Sequence, residues 1–133
     1  MSAGSRVMVL TRSCTYPGRA DQIGEARRFL ARILDGSPVA TDAILCLSEL
    51  ATNAAVHSHS GRPGGQFTVR VLLGGGTLRV EVGDEGGPWV QPAGPPDGQH
   101  GRGLLIVSQL TRAWGRSGGS DTGWTVWYEI DCP

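Results

Sequence analysis

Two side chains that could do acid–base and metal chemistry stand one helical turn apart near the middle of the chain. Glu49 and Asn53 are four residues apart and His57 follows after four more, so on a helix the three form one polar stripe. A carboxylate can accept a proton or orient a hydroxyl group, and an amide oxygen is a hard ligand that suits Mg²⁺. The same spacing also describes the solvated face of an ordinary amphipathic helix, which is the simpler interpretation of the stripe alone.

Two glycine-containing motifs could complete a ligand site beside this helix. Asp84-x-Gly86 directly follows a predicted strand, where a carboxylate can accept a hydrogen bond from a purine amine and Gly lets the chain approach the ring. Gly101-x-Gly103 precedes an apolar helix, and bare backbone N–H groups at a helix N-terminus favour anions such as phosphate. Each motif is weak by itself, because the chain contains 21 Gly and Asp-x-Gly is more often a turn than a binding site.

Helical spacing of apolar residues predicts three helices that could position these groups. The predicted ranges are residues 20–34, about residues 42–57, and residues 104–110. The run Asp-Gly-Ser-Pro at residues 35–38 ends the first helix, and Asp42 or Thr41 is the expected N-cap of the second. The apolar residues of the second helix can then pack inward, on faces other than the polar stripe.

Alternation of apolar and polar residues predicts the strands of one sheet. The predicted strands are residues 66–73, 77–82, 113–116 and 123–130, with a short further strand at residues 7–10. Gly74-Gly75-Gly76 and Gly118-Gly119 are the expected hairpin turns, and residues 88–100, rich in Pro and Gly, predict a long irregular loop. Because strands cluster and helices cluster within what we expect to be one domain over residues 1–133, the pattern favours the α+β class: a two-layer α/β sandwich with a mainly antiparallel sheet and helices on one face.

Composition excludes several classes of function. The formal net charge is zero, so nothing indicates a nucleic-acid-binding surface. All 12 basic residues are Arg, and without Lys the chain has no P-loop, no protein-kinase strand lysine and no side-chain Schiff base. Three widely separated Cys fit a reducing cytoplasm, and no apolar stretch is long enough to span a membrane. Cys46, His59 and His100 lack convincing metal-ligand spacing, so we expect no zinc site.

In this order, and over nearly the whole chain, the motifs resemble the ATP-binding GHKL fold of gyrase, histidine kinases and MutL. Within that group the resemblance is to the anti-sigma-factor serine/threonine kinases of bacteria. The segments that carry it are the N-box Glu49-Leu50-Ala51-Thr52-Asn53-Ala54-Ala55-Val56-His57-Ser58, the adenine box Asp84-Glu85-Gly86-Gly87-Pro88, the phosphate box Gly101-Arg102-Gly103-Leu104-Leu105-Ile106-Val107, and the closing hairpin from Trp114-Gly115 to Ile130.

The resemblance implies a role for each motif. Glu49 would orient or deprotonate the attacking hydroxyl group, and Asn53 would bind Mg²⁺, which bridges the phosphates of ATP. Asp84 would hold the adenine amine while Gly86 leaves room for the ring, and residues 88–100 would form the ATP lid.

The phosphate box would act mainly through its backbone. Gly101 and Gly103 would present N–H groups to the phosphates, Leu104 belongs to the same ligand-binding box, and Arg102 could add a positive charge. His57 fits the N-box pattern but has no clear chemical role, and support by packing or hydrogen bonding is an equally good interpretation.

Two features depart from the wider fold. Pro88 stands where the adenine box often carries a second Gly, which stiffens the entry into the lid. The lid is also short. Both departures bear on whether bound ATP is turned over more than on whether ATP binds.

The implied function is that of a cytoplasmic, ATP-binding anti-sigma factor with serine kinase activity toward an antagonist protein. Its partners would be that antagonist, a sigma factor, or both, with neither nucleic acid nor membrane, and the helix at residues 20–34 could offer a homodimer face or simply cover the sheet. A non-catalytic switch, in which ATP sets the affinity for a protein partner, is the alternative. A degenerate domain that binds no nucleotide is the third hypothesis.

Overall fold

A computed structural model describes residues 10–57, 62–86, 103–119 and 121–133. Within these ranges the chain forms five strands and three α-helices, and a 3₁₀ turn at Ala20–Gln22 leads into the first helix. In chain order the elements are β1 (Leu10–Pro17), α1 (Ile23–Ile33), α2 (Ala40–His57), β2 (Gln66–Gly74), β3 (Thr77–Gly83), α3 (Gly103–Leu110), β4 (Ala113–Gly119) and β5 (Gly123–Asp131). None of these described helices is long and apolar enough to cross a membrane.

The strands form one antiparallel sheet in the order β1-β2-β3-β5-β4. The β2–β3 hairpin closes through Gly75 and Gly76, whose φ angles of 64° and 78° lie in the left-handed region. Positive φ at both central residues is typical of the tight turn that best matches the twist of a two-residue hairpin, and Gly adopts it without steric cost. The hairpin predicted from the sequence is therefore confirmed.

One face of the sheet is buried under the helices. α2 packs on β2 and β3 and lies between α1 and α3, so it is the central element of the helical layer. The buried side chains of the sheet come from alternate positions: Phe67, Val69, Val71, Leu78, Val80, Val82, Val126, Tyr128 and Ile130. This arrangement confirms the predicted α+β sandwich with helices on one face of an antiparallel sheet.

The opposite face of the sheet carries a chain of ion pairs, which we call the open-face ladder. Arg70 and Arg79 both contact Glu81, at 3.5 Å and 2.8 Å, and Arg79 also contacts Glu129 at 2.8 Å. Arg112 continues the ladder to Glu129 and Asp131, each at 2.9 Å. Trp127 lies on the same face, with the guanidinium of Arg79 4.1 Å from its ring centroid. Charges and one amphipathic ring therefore cover this face in place of a second helical layer.

Tyr128 fixes the central helix to the sheet. Its side chain is fully buried, and its hydroxyl donates a hydrogen bond of 2.6 Å to the carbonyl of Ala43 in the first turns of α2. Burial raises the pKa of Tyr128 well above its ordinary value, so the hydroxyl keeps its proton and remains a donor. This bond sets the position of α2 along β5.

The start of α2 differs from the prediction. The helix begins at Ala40, so Thr41 and Asp42 lie in its first turn and neither is the N-cap. The segment before the helix is ordered instead by Ser37. Its hydroxyl accepts a hydrogen bond from the Val39 amide at 3.3 Å, and its carbonyl accepts one from the Ala40 amide at 3.2 Å. The Ser-Pro turn thus orders the chain before the helix, and the prediction of Asp42 or Thr41 as cap was wrong.

Strands β1 and β4 also differ from the prediction by more than one residue. β1 begins at Leu10 and runs to Pro17, so the strand predicted at residues 7–10 overlaps it only at Leu10, and residues 7–9 lie outside the described part. β4 extends beyond residue 116 to Gly119, and Gly118 pairs with Trp124 inside the hairpin. The predicted Gly118-Gly119 turn was wrong, because these glycines continue the strand and the chain reverses only after them.

We expect Tyr128→Phe to lower the free energy of unfolding by about 1 kcal/mol, because the variant keeps the packed ring and loses one buried hydrogen bond. Urea unfolding followed by circular dichroism measures the change. An unchanged midpoint would mean that the Ala43 contact adds nothing to the attachment of α2.

Candidate functional site

α2 positions Glu49 and Asn53 by burying its other side. The inward residues recur at helical spacing, and both polar side chains are left half-buried beside them. The buried residues are Ala43, Cys46, Leu47, Leu50, Ala51, Ala54 and Ala55. The predicted inward face is confirmed. His57 is the last residue of α2, and its side chain lies outside the described part.

Cys46 is core packing and not a reactive thiol. Burial, aided by the charges of Asp42 and Glu49, raises the pKa of its thiol to about 12. The thiol therefore stays protonated and takes no part in the chemistry of the neighbouring carboxylate.

The carboxylate of Glu49 lies against the first residue of α3. A Cβ added to Gly103 would stand only 2.8 Å from Glu49 Oε1 and 3.5 Å from Glu49 Cβ. A side chain at residue 103 would displace the carboxylate from this position. The structure thus brings together the acid of one predicted motif and the second glycine of another.

Burial raises the pKa of Glu49 above its ordinary value of 4.5. A half-buried carboxylate is less well solvated than a surface one, so its charged form is disfavoured and its affinity for a proton rises. These are the properties of a proton acceptor near neutral pH.

Asp84 is held by backbone groups at the end of β3. Its Oδ1 accepts from the Gly86 amide at 2.7 Å and from the Trp124 amide at 3.0 Å, while its own amide donates to the Trp124 carbonyl at 2.8 Å. Two N–H donors to one carboxylate oxygen fix the orientation of the group.

Glycines let the backbone crowd around this carboxylate. Gly86 is buried with φ of 93°, and Gly123 has φ of 97°. A Cβ on Gly123 would stand 2.5 Å from the Asp84 carbonyl oxygen, so no other residue fits there without displacing the chain.

A comparison with known sequence families matches residues 16–128 to the histidine kinase-like ATPase domain. The match starts in β1 and ends in β5, and it spans both carboxylates, the three predicted boxes and most of the closing hairpin. The chain belongs to this family. Its ligand is accordingly ATP, and a regulatory ATP-binding role follows from the same match. A search of curated proteins found no relative of the chain.

In this ATPase domain the described site residues form two local groups. Glu49 meets Gly103, with Asn53 one turn further along α2, and Asp84 meets Gly86 at the end of β3, the strand on which α2 packs. The side chain of Leu104 is half-buried and packs against the core. Its backbone is therefore the part of this residue that can face a ligand. Gly101, Arg102, residues 88–100, His59 and His100 lie outside the described residues.

Trp124 contacts Asp84, and sequence reasoning missed this contact. The residue was predicted only as part of the last strand, at residues 123–130, whereas its amide and carbonyl both bond to Asp84. The contact depends on β3 pairing with β5, which are not consecutive in the chain. The only local signal is Gly123, a glycine at the start of a strand where the backbone approaches another segment closely.

The donor set fits an adenine nucleotide. Asp84 offers a carboxylate acceptor of fixed direction for an amine. The start of α3 offers backbone N–H groups next to Glu49, and Asn53 offers an amide oxygen. Among the described residues, no three His, Cys, Asp or Glu side chains form a metal cluster. A single hard oxygen ligand suits a divalent ion that the phosphates of a nucleotide also coordinate.

We expect Gly103→Ala and Glu49→Ala to be strongly non-additive. Ala is favoured over Gly in a helix by up to about 1 kcal/mol, but in the wild type the added methyl group meets Glu49 Oε1 and displaces that side chain. In the Glu49→Ala background the same change should stabilise. A double-mutant cycle in urea measures the coupling, expected to be at least about 0.5 kcal/mol, and additive effects would contradict the contact.

We expect Glu49→Gln to raise the free energy of unfolding more at pH 7 than at pH 3.5. Because the pKa of Glu49 is raised in the folded state, the native protein binds more protons, and this group's contribution to stability falls as pH rises from its ordinary value of 4.5 through the raised one. Gln is neutral throughout and avoids that loss.

Glu25→Gln is the matched control for the pH experiment. A hydrogen bond from Arg28 lowers the pKa of Glu25, so this carboxylate stabilises the fold above its ordinary pKa, and that contribution is lost as pH falls through the lowered one. Its replacement should therefore cost more stability at pH 7 than at pH 3.5. The same sign for both variants would mean that Glu49 is not held in a desolvated position.

Proposed function

We propose that this ATPase domain is an anti-sigma factor that acts as a serine protein kinase, transferring the γ-phosphoryl group of ATP to a small antagonist protein. The observation that carries the proposal is Glu49: a half-buried carboxylate with raised pKa that lies against the first residue of α3. A domain that only bound ATP would gain nothing from a desolvated carboxylate at the phosphate-binding end of its site.

In the proposed reaction, Glu49 receives the proton of the attacking serine hydroxyl. The oxygen then attacks the γ-phosphorus in line, the bond to the β–γ bridging oxygen breaks, and ADP leaves. A raised pKa brings the carboxylate closer to the working pH and makes it the stronger base. The contact with Gly103 holds that base next to the backbone that would face the phosphates.

The rest of the site would bind and orient the nucleotide. Asp84 would accept the adenine amine, Gly86 would leave room for the ring, and the amide of Gly103 would face a phosphate together with the Gly101–Leu104 backbone and the charge of Arg102. Asn53 would hold Mg²⁺, which neutralises phosphate charge when bound. Residues 88–100 would serve as the lid of a single domain.

The protein partners would be the antagonist, a sigma factor, or both, and a homodimer through α1 remains part of the proposal. α1 buries Ala26 and Leu30 in the domain's own core and exposes Glu25, Arg27 and Arg28. Contacts between two copies of this helix would therefore be mainly charged.

Incubation with Mg-ATP and candidate antagonist proteins, followed by mass spectrometry for phosphoserine, tests the proposal. We expect Glu49→Gln to reduce transfer at least about 100-fold, since it removes the general base, while calorimetry shows ATP binding retained. Asp35→Asn, in the exposed turn after α1, should leave transfer unchanged. Absence of phosphoserine on every candidate, with ATP bound, would contradict the kinase.

The same samples separate the alternative functions. Partner binding that requires ATP and survives Glu49→Gln, without any transfer, would indicate a non-catalytic switch. No heat on ATP addition at any Mg²⁺ concentration would indicate a degenerate domain. Asn53→Ala is expected to weaken ATP binding only when Mg²⁺ is present.

A further inference from the structure

Trp124 lies near the start of β5, next to the end of β3 that carries Asp84. Alternation along β5 places its side chain on the helix-covered face, with Val126 and Tyr128, and the indole is half-buried. Its backbone amide is 3.0 Å from Asp84 Oδ1. The residue that carries this indole is therefore bonded through its backbone to the carboxylate that would hold the base amine.

Arg116 of β4 packs on this indole. Its guanidinium carbon is 4.8 Å from the ring centroid, a cation–π distance, and the register pairs Arg116 with Val126, so both side chains project from the same face of the sheet. A flat ring held by a cation on a neighbouring strand loses little conformational freedom when a ligand packs against it.

The backbone around Trp124 leaves little room to adjust. Gly118 pairs with Trp124 and has φ of 98°, and a Cβ there would stand 2.1 Å from the Gly123 carbonyl oxygen and 3.3 Å from Trp124 Cα. Gly118 therefore lets β4 approach one side of this segment, and Gly123 lets Asp84 approach the other side. The position of the indole relative to the carboxylate is set by main-chain geometry.

We propose that the Trp124 indole, backed by Arg116, forms a wall of the base subsite and makes the site prefer purines over pyrimidines. This proposal rests on the proposed function only in taking Asp84 as the acceptor of the base amine. A carboxylate alone cannot make the distinction, because adenine and cytosine both present an exocyclic amine. A two-ring base covers more of an indole than a one-ring base and gains more from stacking.

Trp127 provides an internal comparison. It also carries an Arg partner, Arg79 at 4.1 Å, but it lies on the open face of the same strand, where its ring covers Gly115. Arg–Trp packing is thus a structural feature of both faces, and only the Trp124 pair adjoins Asp84. Trp127→Ala is therefore the matched control for Trp124→Ala.

Calorimetry with ADP and CDP on the full chain tests the proposal without any phosphoryl transfer. We expect Trp124→Ala to weaken ADP binding about tenfold and CDP binding about threefold or less, so that the ratio of the two affinities falls. Trp124→Phe should keep ADP binding within about threefold. Trp127→Ala should leave the ratio unchanged, even if its melting temperature drops.

A fluorescence experiment keeps the proposal testable if Trp124→Ala does not fold. The chain has 4 Trp, so replacing Trp89, Trp114 and Trp127 by Phe leaves Trp124 as the only indole. ADP should quench its emission with the affinity that calorimetry gives. Binding of ADP without quenching would overturn the proposal that Trp124 forms a wall of the base subsite, and so would an unchanged ratio of ADP to CDP affinity in Trp124→Ala. Either result would leave the kinase proposal standing. A wild type that binds no adenine nucleotide would overturn both proposals.

Discussion

The pairing of β3 with β5 is the constraint on which the site depends. These strands are separated in the chain by α3 and β4, yet their register brings Asp84 onto the backbone of Trp124 and places Tyr128 beneath α2. One strand pair therefore sets both the direction of the carboxylate and the position of the helix that carries Glu49. Substitutions that loosen β5 would disturb both groups at once, although neither lies in that strand.

The contact between Glu49 and Gly103 lowers the stability of the folded state at a position that we propose for function. A carboxylate that is partly removed from water raises the free energy of the folded state at neutral pH, and a glycine at the first position of α3 gives up the helical preference that Ala would bring. Neither residue increases the stability of the fold. Local losses of this kind are typical of positions kept for binding or chemistry, where a rigid surrounding structure tolerates them.

Much of the architecture could be predicted, because periodicity reports which face of an element is buried. The inward side of α2, the β2–β3 hairpin and the two-layer arrangement all followed from spacing. The cap at Asp42 failed because Ser37 orders the approach through its hydroxyl, and β4 was cut short because Gly118 and Gly119 lack the side chains that mark a strand. Strand order and the backbone contacts of Trp124 are set by tertiary structure and leave no periodic signal.

The open-face ladder has a consequence for how the sheet chooses its alignment. Apolar alternation repeats every two residues, so it penalises a slip of one residue between strands but permits a slip of two. In the native alignment Arg70 faces Glu81 and Arg79 faces Glu129. A two-residue slip in one direction would set Arg70 opposite Arg79 between β2 and β3, and a slip in one direction between β3 and β5 would set Glu81 opposite Glu129. Like charges directly across a strand pair repel. The charges thus disfavour one of the two slips that the apolar pattern permits in each strand pair, on the face of the sheet opposite the described helices.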